Sequence, residues 1–280
     1  MNAFAMARKM RLIVISALYL CMSVALARPA DNASSSQQID SFNAVSICGD
    51  PEPPPWLYWK RIVHGQPSKE LTGFSLELIR AAFDKLGIRT QFIGDYPWKR
   101  CLSLVLAGKI DFAMGAYFDE ERTKTFAYSI HYFSLTPQVY TLRAANLVFK
   151  NIGELKARRG CGMLGASYAY YDLKPEELDL SLGYASLINK LRAKRCDYFV
   201  EELEVMNAAR VSGQAQFSDD EISHAMATGA KVPAKHLITA KHSKVTALLP
   251  VLNEALTHLI QSGEAERIWK KHAGDMPYKP

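Results

Sequence analysis

The sequence lacks the patterns that support metal, redox or nucleic-acid chemistry. It has no Cys-x-x-Cys pair, and its seven histidines show no metal-ligand spacing. It also has no run of Lys and Arg with interleaved aromatic residues, the usual mark of a nucleic-acid surface. We therefore expect no metal, no cofactor and no nucleic-acid partner.

No apolar run is long enough to cross a membrane comfortably. The run at residues 12–24 follows three basic residues and precedes the small-x-small sequence Ala25-Leu26-Ala27. This order is typical of an export signal, so residues 1–27 are predicted to be a signal peptide that is removed during export to the periplasm. An uncleaved anchor is the alternative.

Neither sign of charge is in large excess. Cleavage after Ala27 would remove three of the 34 basic residues and none of the 28 acidic ones, leaving a net charge of +3 on 253 residues. That length is sufficient for two lobes with separate cores. The polar residues 28–42 would form a flexible tether before them.

Four cysteines would remain after cleavage: Cys48, Cys101, Cys161 and Cys196. An even number of cysteines in an exported chain favours disulfide bonds, and four cysteines allow three pairings. Four buried free thiols are the alternative.

Short apolar segments alternate with amphipathic ones along the chain. A helix is predicted over 73–86, a second helix from Trp98, and strands at 45–49, 90–93 and 110–114. The same alternation recurs in the second half of the chain. It is typical of an α/β protein with mostly parallel sheets.

The most informative segment ends at Arg122. Pro97 suits the start of a helix, and Gly108 suits its end before Gly108-Lys109-Ile110-Asp111 leads into a strand. Arg122 follows in the loop beyond the carboxyl end of that strand, where open α/β sheets bind ligands. Its planar guanidinium matches a carboxylate. A surface arginine paired with a neighbouring acid is the alternative.

In order and spacing, these features resemble the extracytoplasmic solute-binding proteins of family 3, which capture polar amino acids for ABC importers. Glu121-Arg122 and Tyr128-Ser129 match that family's arginine loop and the aromatic-serine run after it, and the resemblance extends over about residues 43–275. It implies a type II periplasmic-binding fold, with two α/β lobes joined by two hinge strands. It also implies a monomer that closes on a small-molecule ligand and an ABC permease as partner.

The resemblance also divides the chain. Residues 43–138 and 244–280 would form a discontinuous first lobe, and residues 139–243, with the hinge strands, the second. The expected disulfides, each within one lobe, are Cys48–Cys101 and Cys161–Cys196.

By the resemblance, Arg122 would hold the carboxylate of the ligand and Glu202 its ammonium group. Glu202 stands five residues after Asp197, where the family has an aspartate. Glu201 is a competing candidate, and a solvated acid at a helix start is the other alternative. Asp119 stands in place of a threonine of the family, and it would repel a carboxylate unless it orients Arg122 instead.

Aromatic residues in loops on the predicted ligand side would form the walls of a small-molecule pocket. They are Trp56, Trp98, Tyr117 and Tyr168, each of which has ordinary packing as its alternative. Ser167 lies in a turn that matches the carboxylate-binding turn of the family and would add a hydroxyl group. The same turn resembles a nucleophile elbow but lacks its final glycine.

We therefore expect a periplasmic solute-binding protein, not an enzyme, that captures an amino acid or related carboxylate for an ABC importer. Two alternatives remain. One is an enzyme on the same fold, resembling the periplasmic cyclohexadienyl dehydratases, with Glu202 as general acid. The other is a ligand-sensing receptor without a transporter.

Overall fold

The computed structural model describes residues 42–51, 54–61 and 67–280. The predicted signal peptide (1–27), and the predicted tether except Phe42, lie outside the described residues. The strands are β1 (Ala44–Cys48), β2 (Tyr58–Arg61), β3 (Pro67–Thr72), β4 (Arg89–Ile93), β5 (Phe112–Tyr117), β6 (Phe126–Ser134), β7 (Pro137–Leu142), β8 (Gly160–Met163), β9 (Leu178–Ser181), β10 (Tyr198–Glu202), β11 (Ile222–Met226) and β12 (Ala234–Ala240). The α-helices are α1 (Phe74–Lys85), α2 (Trp98–Leu106), α3 (Tyr184–Arg192), α4 (Leu203–Val211), α5 (Leu249–Gln261) and α6 (Glu264–Ala273).

The strands form two five-stranded sheets, each the centre of one α/β lobe, and a small β2–β3 hairpin. The first sheet has the order β4-β1-β5-β12-β6, and the second has the order β11-β7-β10-β8-β9. In each sheet the parallel pairs lie on one side and the antiparallel pairs on the other. The two-lobed α/β fold is as predicted, but the sheets are mixed rather than mostly parallel.

Strand β12, on which the chain comes back from the second sheet, belongs to the first lobe. The prediction assigned residues 139–243 to the second lobe, yet β12 pairs antiparallel with β5 and β6 of the first sheet. Leu237 and Ile238 are buried there, so removal of their apolar side chains from water favours the pairing of β12 with that sheet. The chain therefore passes to the second sheet between Ser134 and Pro137 and returns between Met226 and Ala234.

Each lobe has its own apolar core. In the first, α1, α5 and α6 cover the sheet, and the Phe133 ring stacks on Trp269 at 4.2 Å between centroids. In the second, the Tyr140 and Phe199 rings stack at 4.8 Å between neighbouring strands. Aromatic pairs of this kind stabilise a core beyond their buried area.

Both predicted disulfides are confirmed. Cys48 pairs with Cys101 in the first lobe, and Cys161 pairs with Cys196 in the second. Because neither bond joins the two lobes, neither restricts their relative movement.

Buried polar contacts hold the crossover between the lobes. The Glu204 carboxylate, at the start of α4, accepts hydrogen bonds from the Thr136 N–H (2.8 Å) and hydroxyl (2.6 Å). Lys279, near the C-terminus, pairs with the same carboxylate at 3.1 Å. The chain end thus ties the first lobe to the first helix turn after β10.

Candidate functional site

Arg122 lies on a short helical turn (Arg122–Lys124) that follows β5. Its side chain is half-buried, and its Nη1 donates to the Tyr117 carbonyl at 2.9 Å. The Asp119 carboxylate accepts the backbone N–H of Arg122 at 2.9 Å, so this acid caps the turn. Burial raises the pKa of the neighbouring Tyr128 phenol, and the Arg122 charge opposes that rise.

Glu202 ends β10 and directly precedes α4. Its side chain is only 5% exposed. The hydroxyls of Tyr117 and Tyr171 lie within long hydrogen-bond distance of its two oxygens, at 3.5 and 3.4 Å. Burial and the neighbouring Glu201 raise the pKa of Glu202 well above its usual range, while the Lys235 charge opposes the rise.

Tyr117 connects the strand ends of the two sheets. It ends β5 in the first lobe, and its hydroxyl reaches Glu202 in the second. Its ring also meets Tyr170 of the second lobe edge-on at 6.0 Å. The Tyr170 hydroxyl in turn donates to the Phe118 carbonyl of the first lobe at 2.5 Å. Arg122, Tyr117 and Glu202 therefore belong to one interlobe site.

Trp56 is buried beside this site and is held by the start of α1. The backbone N–H of Ser75 donates to the Trp56 carbonyl at 3.0 Å. Gly73, with a φ of 130°, lets the chain pass so closely that a side chain there would collide with the same carbonyl. The main chain at Trp56 is thus fixed by the start of α1.

Lys235 is a member of the site that sequence reasoning missed. It lies on β12, opposite Tyr117 in register, and is only 2% exposed. Its Nζ lies 4.6 Å from the ring centroid of Trp56 and 5.3 Å from that of Tyr117. One signal could have found it, because strand alternation puts Lys235 on the same face as the buried Leu237.

A family model of the bacterial extracellular solute-binding proteins, family 3, matches residues 48–275. The chain belongs to this family. It is therefore a solute-binding protein by descent. No curated protein matches the chain in a sequence comparison.

Solved structures share the fold of this solute-binding protein. The substrate-binding protein of an amino acid ABC transporter has 20% identity and a TM-score of 0.59, over 81% of this chain and 98% of that one. An ABC uptake transporter substrate-binding protein from Streptococcus pneumoniae, with bound histidine, has 19% identity and a TM-score of 0.61, over 89% and 98%. A histidine kinase sensor domain with similarity to periplasmic binding proteins has 19% identity and a TM-score of 0.64, over 86% and 100%.

Three predicted site residues lie away from the contacts that Tyr117 makes with Arg122 and Glu202. Tyr168 is buried in the core of the second lobe, where its hydroxyl accepts the Met163 N–H. Trp98 packs against the apolar cluster around the Cys48–Cys101 disulfide, and its backbone N–H donates to Asp50 at 2.9 Å. Ser167 is exposed on the turn after β8.

A separate groove of about 780 Å³ lies between α4 and the end of α6. None of the predicted site residues lines it. The lining residues of the groove are Pro54, Pro55, Asn207, Ala208, Arg210, Val211, Ala215, Gln216, Phe217, His272, Ala273 and Met276.

Within the described residues, no cluster of three or more His, Cys, Asp or Glu is arranged to hold a metal ion, and no helix is long and apolar enough to span a membrane.

Proposed function

We propose that this solute-binding protein captures a small carboxylate between its lobes, with Arg122 as the carboxylate clamp. A guanidinium carries five N–H donors in a planar fork. In Arg122, an N–H of Nη1 donates to the Tyr117 carbonyl. The fork suits the two oxygens of a carboxylate, and partial burial strengthens such a bond.

The single observation that carries this proposal is the link through Tyr117. Its carbonyl accepts from Arg122 and its hydroxyl approaches Glu202, so residues of both lobes meet at one tyrosine. A ligand held there would contact both lobes and favour their closed arrangement. The lobes would hinge at the two crossovers, near residue 136 and before residue 234.

Further contacts would complete the pocket. The Trp56 and Tyr117 rings would form apolar walls, and Glu202 would face the ligand from the second lobe. Ser167, exposed on its turn, would reach the ligand on closure. Trp98 and Tyr168 are left out of the proposed contacts because their observed contacts are internal to the lobes.

We further propose that the protein works in the periplasm as a monomer and delivers its ligand to an ABC permease. The predicted signal peptide and the family membership support export. The structural neighbours from amino acid ABC transporters support the importer and a ligand related to amino acids. N-terminal sequencing of the exported protein should find Arg28 first, and an intact Met1 in a membrane fraction would contradict export with cleavage.

The first experiment is a thermal-shift screen of amino acids and organic acids, followed by small-angle scattering with each hit. A carboxylate that raises the melting temperature should also reduce the radius of gyration, because binding closes the lobes. Stabilisation only by compounds without a carboxylate, or binding without compaction, would contradict the proposal.

A second candidate function is an enzyme, favoured by the state of Glu202. Its buried carboxyl has a raised pKa and therefore stays protonated at higher pH, as a general acid requires. A dehydratase on prephenate would use that proton at the leaving hydroxyl. Incubation with prephenate tests this directly, since release of phenylpyruvate would favour the enzyme over the binding protein.

A receptor role is the other candidate, and the sensor-domain neighbour supports it. In that case ligand closure would be read by a signalling partner instead of a permease. Genes for a permease and an ATPase beside this one would favour transport, and a kinase gene would favour sensing.

A further inference from the structure

Lys235 places a positive charge deep inside the interlobe site. Its Nζ lies over the faces of Trp56 and Tyr117, at 4.6 and 5.3 Å from the ring centroids. An ammonium group is attracted to the negative face of an aromatic ring, and the attraction is stronger where water is excluded. With 2% of the residue exposed, Lys235 is held in such a dry environment.

The same place offers the other element of a cation site, a carboxyl group. Glu202 approaches the Tyr117 hydroxyl on the ring that also lies beneath Lys235. The Lys235 charge favours the ionised form of the Glu202 carboxyl and so works against the rise in its pKa. Two aromatic faces and one acid are what a protein needs to recognise an ammonium group.

The second nearby acid is engaged elsewhere. Glu201 accepts the Tyr184 hydroxyl at 2.9 Å through one oxygen and the Glu202 N–H at 3.2 Å through the other. Burial and, after it, the Glu201 charge raise the pKa of Glu202, so that carboxyl offers a ligand less negative charge than an exposed one would.

We propose that Lys235 fills the ammonium subsite of the cleft from within the chain, so that the ligand is a carboxylate without an amino group. This rests on the proposed function for the carboxylate at Arg122, and it narrows the ligand class to organic acids. A ligand ammonium in the same place would bring two cations to one acid, and like charges at close range in a dry site repel strongly. An organic acid meets no such repulsion.

The first test measures selectivity in the unchanged protein. Each common α-amino acid is titrated beside its 2-oxo, 2-hydroxy and deamino counterparts of the same carbon skeleton. We expect the acid without the amino group to bind at least about tenfold more tightly. Tighter binding of the amino acids would overturn the inference while leaving the carboxylate clamp intact.

The second test needs no knowledge of the ligand. Lys235→Ala removes the side chain and opens a cation-sized space over Trp56, and n-propylammonium is then added as the probe. It should raise the melting temperature of Lys235→Ala by about 2–4 °C, which corresponds to roughly one kcal/mol in a protein of this size. It should have no such effect on the wild type or on Lys235→Met, which fills the space without charge.

1-Propanol is the matched neutral probe. Equal stabilisation of Lys235→Ala by 1-propanol and n-propylammonium, or none by either, would overturn the cation subsite. If Lys235→Ala does not fold, the selectivity titration of the wild type decides alone. If no carboxylate of any series binds the wild type, the proposed function fails. The stabilisation of Lys235→Ala by n-propylammonium then still shows whether Lys235 occupies a cation subsite.

Discussion

The Tyr117 hydroxyl lies 3.5 Å from Oε2 of Glu202 and brings the end of a first-lobe strand against the end of a second-lobe strand. Arg122 donates to the carbonyl of the same tyrosine. One residue thus contacts the proposed carboxylate clamp within its own lobe and the buried acid opposite it, so lobe movement should change the Glu202 contact and leave the Arg122 bond in place.

Glu202→Gln should flatten the pH dependence of stability. The folded-state pKa of Glu202 is raised above its ordinary value of 4.5, so the folded protein holds a proton that the unfolded chain releases. Its contribution is fully present below pH 4.5 and is lost as the pH rises through the folded pKa. Denaturant unfolding of the wild type and Glu202→Gln, repeated from acidic to neutral pH, measures how much Glu202 contributes to the pH dependence of the unfolding free energy.

Glu176→Gln, on the exposed surface of the second lobe, is the matched control for that change. It should keep the wild-type slope. If Glu202→Gln and Glu176→Gln have the same pH profile, the raised pKa of Glu202 is wrong.

Tyr170→Phe should favour the open arrangement of the lobes. The substitution keeps the ring against Tyr117 but removes the hydrogen bond to the Phe118 carbonyl across the lobes. A neutral hydrogen bond contributes about 0.5–1.5 kcal/mol, so the closed fraction of the ligand-free protein should fall, with the closed-to-open ratio reduced about two- to tenfold. Single-molecule energy transfer between one dye on each lobe measures this fraction.

Tyr184→Phe controls for the loss of a tyrosine hydroxyl, because its bond to Glu201 stays within the second lobe. It should leave the closed fraction unchanged. An equal shift in both variants would mean that the Tyr170 bond has no special part in closure.

Glu204→Ala should destabilise the protein far more than Lys279→Ala. The first change leaves the buried donors of Thr136 without an acceptor, at a cost of about 1–3 kcal/mol each. The second removes a partly exposed cation from a carboxylate that is only 5% exposed, but Glu204 keeps both of its Thr136 donors, so the loss should be smaller. Urea unfolding of the two variants measures the difference, and equal losses would contradict this description of the crossover.

Loss of the Cys161–Cys196 disulfide should lower the free energy of unfolding by about 3–4 kcal/mol. The bond closes a loop with a sequence separation of 35, and a loop of that length loses substantial entropy when cross-linked in the unfolded state. Unfolding of the double serine variant beside the wild type, both in oxidising buffer so that Cys48–Cys101 stays intact, measures the loss. Because the bond lies within one lobe, ligand affinity should not change.

Much of the fold could be predicted from hydrophobic periodicity. The helix predicted over 73–86 is α1 (Phe74–Lys85), because its apolar stripe is regular and a glycine stands at each end. The edge strand β11 was not predicted, since most of its residues are at least partly exposed and it lacks a clear apolar pattern. The mixed pairing of the sheets depends on long-range contacts that a local pattern does not report.

The site was predicted less completely than the fold. Arg122 was found from its position beyond a predicted strand, and Glu202 from its spacing after Asp197, where the family has an aspartate. Lys235 was missed because a lysine in a strand is usually solvated, and only the surrounding rings explain its burial. Tyr168 was placed on the ligand side because its turn resembles a binding turn, although the lobe core takes its side chain.

The central claim is that Arg122 clamps a ligand carboxylate between the lobes, and calorimetric titration of one organic acid from the screen tests it most directly. Arg122→Ala removes charge-assisted hydrogen bonds of about 1.5–3 kcal/mol each, so affinity should fall at least about tenfold with the fold intact. Arg122→Lys should recover only part of the loss, because an ammonium lacks the planar fork. Arg143→Ala, which removes an arginine bonded to the Asp219 carbonyl of the second lobe, is the control and should bind like the wild type. Equal affinity of the wild type and Arg122→Ala would contradict the account.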